Sequence, residues 1–554
     1  MKKFFSFLLS LVIVVSFVIP FASTVSADSI VNISADFKFY QSDARAVMDY
    51  INPWRTSPDV WAWNSAGQRE NRTTTEFTYD YNLERIAMQR AAEAALGELT
   101  LGHTRPDNTS CFTCKFDGTS SSGECLAWGY GSAEAVFNGW KEENDSYSGQ
   151  GHRRIMLNGS SVGIACCTLN NGWKVWALEI GYGNSGAPAT DAVDGIKSMD
   201  IALSTDYVTS MDASVSQAGI AVVEGCTSSL PAITLTVETC FNVTSSSTNQ
   251  IQWASTNTSV ANVNGDKIVG VSAGSCDIVG SYGGREFRVP VNVYNATASY
   301  GRSISAERYN STLTFVNRLY SIAMGRVADT NGLLSWTNSI INGSNTGASA
   351  ARGFLCSPEY TSRGVSNEQF VDTLYKVFFD RDADAAGRSA WIEALNSQSR
   401  DSVMDGFIDS NEWATVCLRF GIMSGGNGTA SFTVEPNDDV IAFATRLYTT
   451  CLNRRPDQNG LMAWARQLAN LKDSGSNAAH GFFFSDEMLN NPVSDEEYVT
   501  RLYLTFMDRN PDEAGFNAWV GQLNSGAASR EEVFNGFAAS DEFGRICANY
   551  GIIR

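Results

Sequence analysis

The sequence predicts a multidomain chain: an aromatic-rich globular unit first, a strand-rich unit in the middle and two all-α repeat domains at the end. Three observations carry this. Seven of the thirteen tryptophans (Trp54, Trp61, Trp63, Trp128, Trp140, Trp173 and Trp176) fall between residues 28 and 185, the mark of an aromatic-rich globular unit. From about 200 to 295 apolar residues recur with a period of two, as in Phe287/Val289/Val291/Val293, the pattern of half-buried strands. From about 310 onward a helical pattern repeats four times. A length of 554 residues with 43% hydrophobic and 18% charged positions supports several cores and excludes disorder.

The first unit is preceded by Lys2 and Lys3, an apolar run from Phe4 to about Ala22, and the small residues Val25-Ser26-Ala27. That order predicts a signal peptide over 1–27 and export from the cell. No later stretch approaches the roughly 18 consecutive apolar residues of a membrane span, so the mature chain is expected to lack a transmembrane segment. Forty basic against 59 acidic residues leave a net charge of −19, which argues against nucleic acid as a partner because phosphate binding relies on basic side chains. Export also makes disulfides the expected state of the twelve cysteines. In the repeats, Cys356 with Cys417 and Cys451 with Cys547 would give one bridge per pair. Five cysteines before 190 and three between 200 and 295 leave two odd counts.

Composition shifts place domain boundaries at 28–190, 200–296, 310–423 and 439–554, with the Gly- and Ser-rich stretch 424–438 as a linker. The repeats share the series Tyr320-Arg326-Asp329-Gly332-Trp336, Tyr375-Arg381-Asp384-Gly387-Trp391, Tyr448-Arg454-Asp457-Gly460-Trp464 and Tyr503-Arg509-Asp512-Gly515-Trp519. Each is followed by Gly-Phe-x-x-Ser-x-Glu, with Ser357, Ser410, Ser485 and Ser540. Offsets of 55, 73 and 55 residues group the copies into two pairs. The recurring Asp suits a helix N-cap, and the recurring Ser another helix start. A unit unable to bury its own apolar face would pack against its neighbour. Asp380, Asp382 and Asp384 imitate a calcium loop, but Ala385 stands where such a loop needs Gly, so capping is the expected role. His480 has no partner motif and reads as a packing or surface histidine.

Chemistry concentrates in the first unit. His103 and His152 are two of only three histidines, with Glu124 and Glu143 between them. Imidazole nitrogens and carboxylate oxygens suit zinc or another divalent cation. Spacing does not fix geometry, and composition alone favours surface histidines and salt-bridged glutamates over a metal site. Cys111-x-x-Cys114 has the spacing of a redox or zinc pair, yet no βαβ pattern surrounds it, and a structural disulfide is the expected use.

Ordered motifs sharpen this reading. Helix-like ARAVMDYIN and YNLERIAMQRAAEAAL are followed by GEC-x-A-x-G at Glu124, W-x-x-E from Trp140 to Glu143, GHRRIML at His152, and strand-like VGIACC and WKVWALEIGYG. Residues 40–183 resemble the CAP superfamily (the cysteine-rich secretory, antigen 5 and pathogenesis-related group), and in particular its bacterial exported, SCP-like branch. The resemblance implies an α-β-α sandwich whose cleft holds two histidines and two glutamates. By position these are His103, His152, Glu124 and Glu143, with the histidines as metal ligands and the glutamates orienting them, or acting as catalytic bases if the protein is an enzyme. Glu142 competes with Glu143, and the register from Trp140 favours Glu143. Two departures from the family pattern stand out: Cys125 replaces the usual Asn beside Glu124, and Cys111-Phe-Thr-Cys114 is inserted after His103.

Residues 251–284, with W-x-S-x-N-x-x-V-A-x-V and G-x-S-A-G-x-C-x-I pieces, resemble the group 2 bacterial immunoglobulin-like domain, which implies a β-sandwich spacer. The four helical repeats resemble a domain of unknown function from exported bacterial proteins, distantly similar to phycobilisome linker repeats. Together these resemblances predict a secreted, surface-associated protein whose partner is a glycan or protein of the cell envelope or of a host. A metal-assisted hydrolase and an adhesin with a vestigial cleft are the alternatives. Most of the chain carries no catalytic constellation, which weighs against an enzyme.

Overall fold

The computed structural model describes residues 17–19, 30–97, 101–169, 172–247, 251–296 and 305–554. The expected signal peptide, 1–27, lies outside these residues except for Phe17–Ile19, which pairs antiparallel with Ala213–Val215.

In the first unit five strands lie side by side in the order Asp194–Ser204, Ile30–Tyr40, Ser161–Leu169, Val175–Gly181 and Gly123–Trp128. Neighbours on this path run antiparallel, and Thr78–Tyr79 adds a short parallel pair beside Ser161 and Val162. Because side chains alternate along a strand, each strand feeds two cores. Ala165, Cys167, Val175, Ala177 and Leu126 face the long helix Tyr81–Leu96 through its Ala87, Met88 and Ala91. Cys125, Ile164, Cys166, Trp176 and Leu178 face the helices on the other side through Val47, Ile51, Val136, Phe137, Trp140 and Met156. Helices thus cover both faces of this sheet. Asp80 starts the long helix by accepting the backbone N–H groups of Asn82 and Leu83. Gly163 lets that helix approach closely, since the backbone of Leu83 and Glu84 fills the space a Cβ would need.

The middle region is built of strands, as its period predicts. Phe287, Val289, Val291 and Val293 are all buried. They lie on Arg285–Tyr294, which pairs antiparallel with Gly274–Tyr282 and parallel with Ile220–Val223. Val208–Val215 pairs with Ile233–Thr239, and Lys267–Gly270 lies between Thr227–Ser229 and Ala261–Asn264. Tyr282 fastens this region to the first unit: its hydroxyl accepts the Asn32 N–H at 2.7 Å and donates to the Asn32 carbonyl at 3.0 Å. The first helix of the repeats, Ala306–Leu319, docks on the same strands. Asn310 accepts from the Val223 N–H at 2.8 Å, and Asn317 donates to the Gly219 carbonyl at 2.8 Å.

Every part of the repeat signature has a structural role. Asp329, Asp384, Asp457 and Asp512 cap helices by accepting the N–H of Gly332, Gly387, Gly460 and Gly515 at 2.7–2.9 Å. A larger residue here would displace the tyrosine, because the hydroxyl of Tyr320, Tyr375, Tyr448 or Tyr503 occupies the place of the missing Cβ. Ser357, Ser410, Ser485 and Ser540 cap the helices that follow. The recurring Arg lies over the Tyr ring, about 5 Å from its centre, and pairs with the Glu of the second motif, as in Arg326–Glu359 at 2.7 Å and Arg454–Glu487 at 2.6 Å. Of the calcium-like trio, Asp384 caps, while Asp380 pairs with Arg318 and Asp382 with Lys376. The second pair of repeats holds a core of its own, built from Phe443, Leu447, Phe482, Leu502, Phe506 and Phe537 among others. His480 stacks on Phe484 with ring centres 4.4 Å apart.

The Gly- and Ser-rich stretch 424–438 is held by hydrogen bonds along its length. Asn427, Thr429 and Ser431 donate backbone N–H bonds to Asp409, Asn411 and Thr415, and Val434 donates to Asn470. Its Gly426 and Gly428 pass so close to the carbonyls of Ile408 and Ser410 that no side chain would fit. The structure holds no disulfide among the twelve cysteines, the Cys356–Cys417 and Cys451–Cys547 pairs included. Cys356 is exposed while Cys417 is buried, and the Cys451 sulfur instead sits 3.4 Å from the Thr505 hydroxyl. Cys166 and Cys167 are adjacent on one strand and point into opposite cores.

Candidate functional site

The edge strand Gly123–Trp128 organises the site. Glu124 points toward the long helix, and the next residue, Cys125, points to the opposite face, where its sulfur lies 3.8 Å from the His152 carbonyl oxygen. The two histidines are therefore served from two sides of one strand.

On the long-helix side, Glu124 is 2% exposed and fully engaged. Arg90 donates to it through Nε at 2.6 Å and Nη2 at 3.3 Å, and His103 Nδ1 stands 2.6 Å from its Oε1. Burial alone would raise the pKa of this carboxyl, but the hydrogen bonds from His103 and Arg90 outweigh it and hold the pKa down to about 2. Glu124 is thus an ionised acceptor, so the His103 proton sits on Nδ1. Arg90 also donates to Glu93 at 2.6 Å, and Arg105 reaches Glu93 from the other side at 2.7 Å. Directly across the strand pair from Glu124 lies Glu179, which burial and the Glu124 charge push well above the usual carboxylate range. With Glu179 protonated, the two arginines balance the two remaining carboxylates. Such a balance is what a dry cluster requires.

On the other side, His152 Nδ1 stands 2.6 Å from Glu142 Oε1. The second oxygen of Glu142 accepts the backbone N–H groups of His152 at 2.9 Å and Arg153 at 3.2 Å. This corrects the sequence register, because Glu143 is half exposed and pairs with Lys141 at 3.4 Å. The helix Ala133–Lys141 stops at Glu142, which adopts a left-handed backbone with φ 46°, so counting three residues on from Trp140 along a helix fails at its last step. Gln150 and Arg153, both buried, hold this turn. Gln150 donates to the Glu142 carbonyl at 3.0 Å, and Arg153 donates to the Lys141 and Trp61 carbonyls at 2.7 Å each.

The two pairs follow one plan. Each histidine spends Nδ1 on a carboxylate and keeps Nε2 without a hydrogen-bond partner among the described residues. That is the arrangement by which an outer carboxylate fixes the tautomer and the aim of a metal-ligating imidazole, so the donor set fits a zinc-class cation. Among the described residues, one group of three or more such donors has its atoms all within 4.8 Å of one another: His103, Cys111 and Glu124. His152 and Glu142 are not part of it. Sequence reasoning passed over Arg90, Glu93, Arg105 and Glu179. The available signal was a charged residue, Glu179, inside the otherwise apolar strand VWALEIG.

Comparison with known proteins agrees with this architecture. Residues 48–180 match the family model of the Cysteine-rich secretory protein family, CAP, which encloses Glu124, Glu142 and both histidines. Residues 298–363, 351–417, 428–491 and 479–547 match a domain of unknown function, DUF4214, one match for each repeat. The chain thus carries a CAP domain followed by four such repeats. A search among curated proteins finds no match. Among the described residues no helix is long and apolar enough to cross a membrane.

Proposed function

We propose that this is an exported, surface-associated protein of the bacterial SCP-like kind, whose CAP domain binds zinc or another divalent cation at His103 and His152. In this reading the strand-rich middle region is an immunoglobulin-like β-sandwich spacer, and the helical repeats hold the protein to a glycan or protein of an envelope or host surface. The observation that carries the cation site is the matched pair of imidazoles, each oriented through Nδ1 by its own carboxylate. The same contacts weigh against a hydrolase. Glu124 already accepts from His103 and Arg90, and Glu142 from His152 and two backbone N–H groups, so both carboxylates are committed to orientation rather than left to activate water. Glu143, the other candidate base, is engaged with Lys141 away from His152.

The test is a zinc titration of the whole protein against the His103→Ala/His152→Ala double variant. The reading requires stoichiometric binding that the double variant loses. Equal zinc content in both would remove it.

A further inference from the structure

Cys111 lies in the segment inserted after His103, and the backbone places it at the site. Its N–H donates to the His103 carbonyl at 3.1 Å, Thr104 bridges Ser110, and the Arg105 N–H donates to the Thr109 carbonyl at 2.9 Å. The chain therefore doubles back on itself and returns a sulfur to the ring it has just left. That sulfur, a nitrogen of His103 and an oxygen of Glu124 form the compact set described above. Cys111 and Glu124 are buried, whereas the His103 side chain is 55% exposed, so the set has a closed floor and an open mouth. Cys114 does not share it. Its side chain packs with Leu83 and Ile86 under the long helix. The C-x-x-C spacing therefore does not act here as a two-thiolate grip.

We propose that Cys111 is a thiolate ligand of the cation, held together with His103 beside the Glu124 carboxylate, and that this selects a zinc-class ion. The inference rests on the cation-binding reading above and adds the sulfur to it. On binding, the Cys111 S–H proton leaves to solvent through the open His103 side as the metal–sulfur bond forms, and no oxidation is involved. A thiolate beside an imidazole favours zinc or cobalt, and it disfavours magnesium and calcium, which prefer oxygen. His152 stands outside the compact set and contributes less to affinity than Cys111.

Cobalt(II) titration of the whole protein under reducing conditions tests this, because a cobalt–thiolate bond gives a near-ultraviolet charge-transfer absorption that imidazole and carboxylate ligands do not. The expected result is that band in the wild type and in Cys114→Ser, its displacement by zinc but not by calcium or magnesium, and its loss in Cys111→Ser with affinity down at least about tenfold. Cobalt binding to the wild type without the band would overturn the sulfur ligand while leaving the cation reading intact. The band surviving in Cys111→Ser would do the same. No binding of cobalt or zinc by any variant, the wild type included, would remove both readings.

Discussion

Glu179 faces Glu124 directly across two antiparallel strands, and the two buried carboxyls divide their roles: Glu124 is ionised and Glu179 keeps its proton. The pair has opposite effects on stability. Glu124 sits at about 2 in the folded protein against an ordinary 4.5, so its contribution is complete above 4.5 and is lost as pH falls from 4.5 toward 2. Glu179 is raised, so the folded state holds a proton that the unfolded chain releases above 4.5, and stability declines as pH rises from there toward the folded value. Glu179→Gln replaces the carboxyl O–H donor with an amide N–H donor and removes the titration. The expected outcome is an unfolding midpoint for the CAP domain that no longer declines on the alkaline side, where a single such group contributes up to about 1.4 kcal/mol per pH unit. Denaturant midpoints at a series of pH values check it, and an unchanged alkaline slope would count against a protonated Glu179.

Arg90 holds this cluster together. It is 1% exposed and lies between Glu93 and Glu124. Arg90→Leu leaves two carboxylates buried without their shared cation and is expected to destabilise the CAP domain by about 3–5 kcal/mol. Arg90→Lys is expected to recover only part of this, because an ammonium cannot serve Glu124 through Nε and Nη2 while also reaching Glu93. Denaturant midpoints of the three proteins give the comparison, and equal stability of the Lys variant and wild type would mean the fork geometry is unimportant.

How much of this was legible beforehand depends on how local the interaction is. Asp329 and Ser357 could be read as caps because an N-cap acts within three residues. The partner of Arg326 could not, since Glu359 is 33 residues away and meets it only after two helices have folded back. The alternation that buries Phe287 through Val293 was visible, whereas the return of Cys111 to His103 depends on a few backbone contacts in a loop without periodicity. The preference for Glu143 rested on a W-x-x-E motif match, whereas the left-handed backbone of Glu142 at the helix end is what accompanies its own carboxylate meeting His152. Cysteine spacing suggested bridges, but which thiols meet depends on strand faces and core depth that spacing does not encode.

The corrected register leads to a paired experiment. Glu142→Gln should weaken zinc binding by about 10–100-fold, the usual cost of losing the group that orients a ligating histidine. Glu143→Gln should leave zinc affinity unchanged, because that side chain contacts Lys141. Calorimetric titration of both variants decides it. The reverse ranking would restore the register counted from Trp140.

The repeat glycines allow a test that separates packing from capping. In Gly515→Ala the new methyl takes the place of the Tyr503 hydroxyl, so the ring must move together with Arg509, which lies 5.1 Å from the ring centre and pairs with Glu542 at 3.2 Å. Overpacking of this kind costs about 1–3 kcal/mol. Asp512→Ala removes the cap on the Gly515 N–H together with an exposed ion pair to Arg509 at 3.3 Å, and should cost about 1–2 kcal/mol. Arg509→Ala breaks an exposed ion pair and should cost less than about 1 kcal/mol. Because the second repeat pair has its own core, all three effects should appear in its unfolding transition and leave that of the CAP domain unmoved. A ranking with the arginine first would mean that the Arg–Glu pair, and not the Tyr–Gly contact, holds the repeat together.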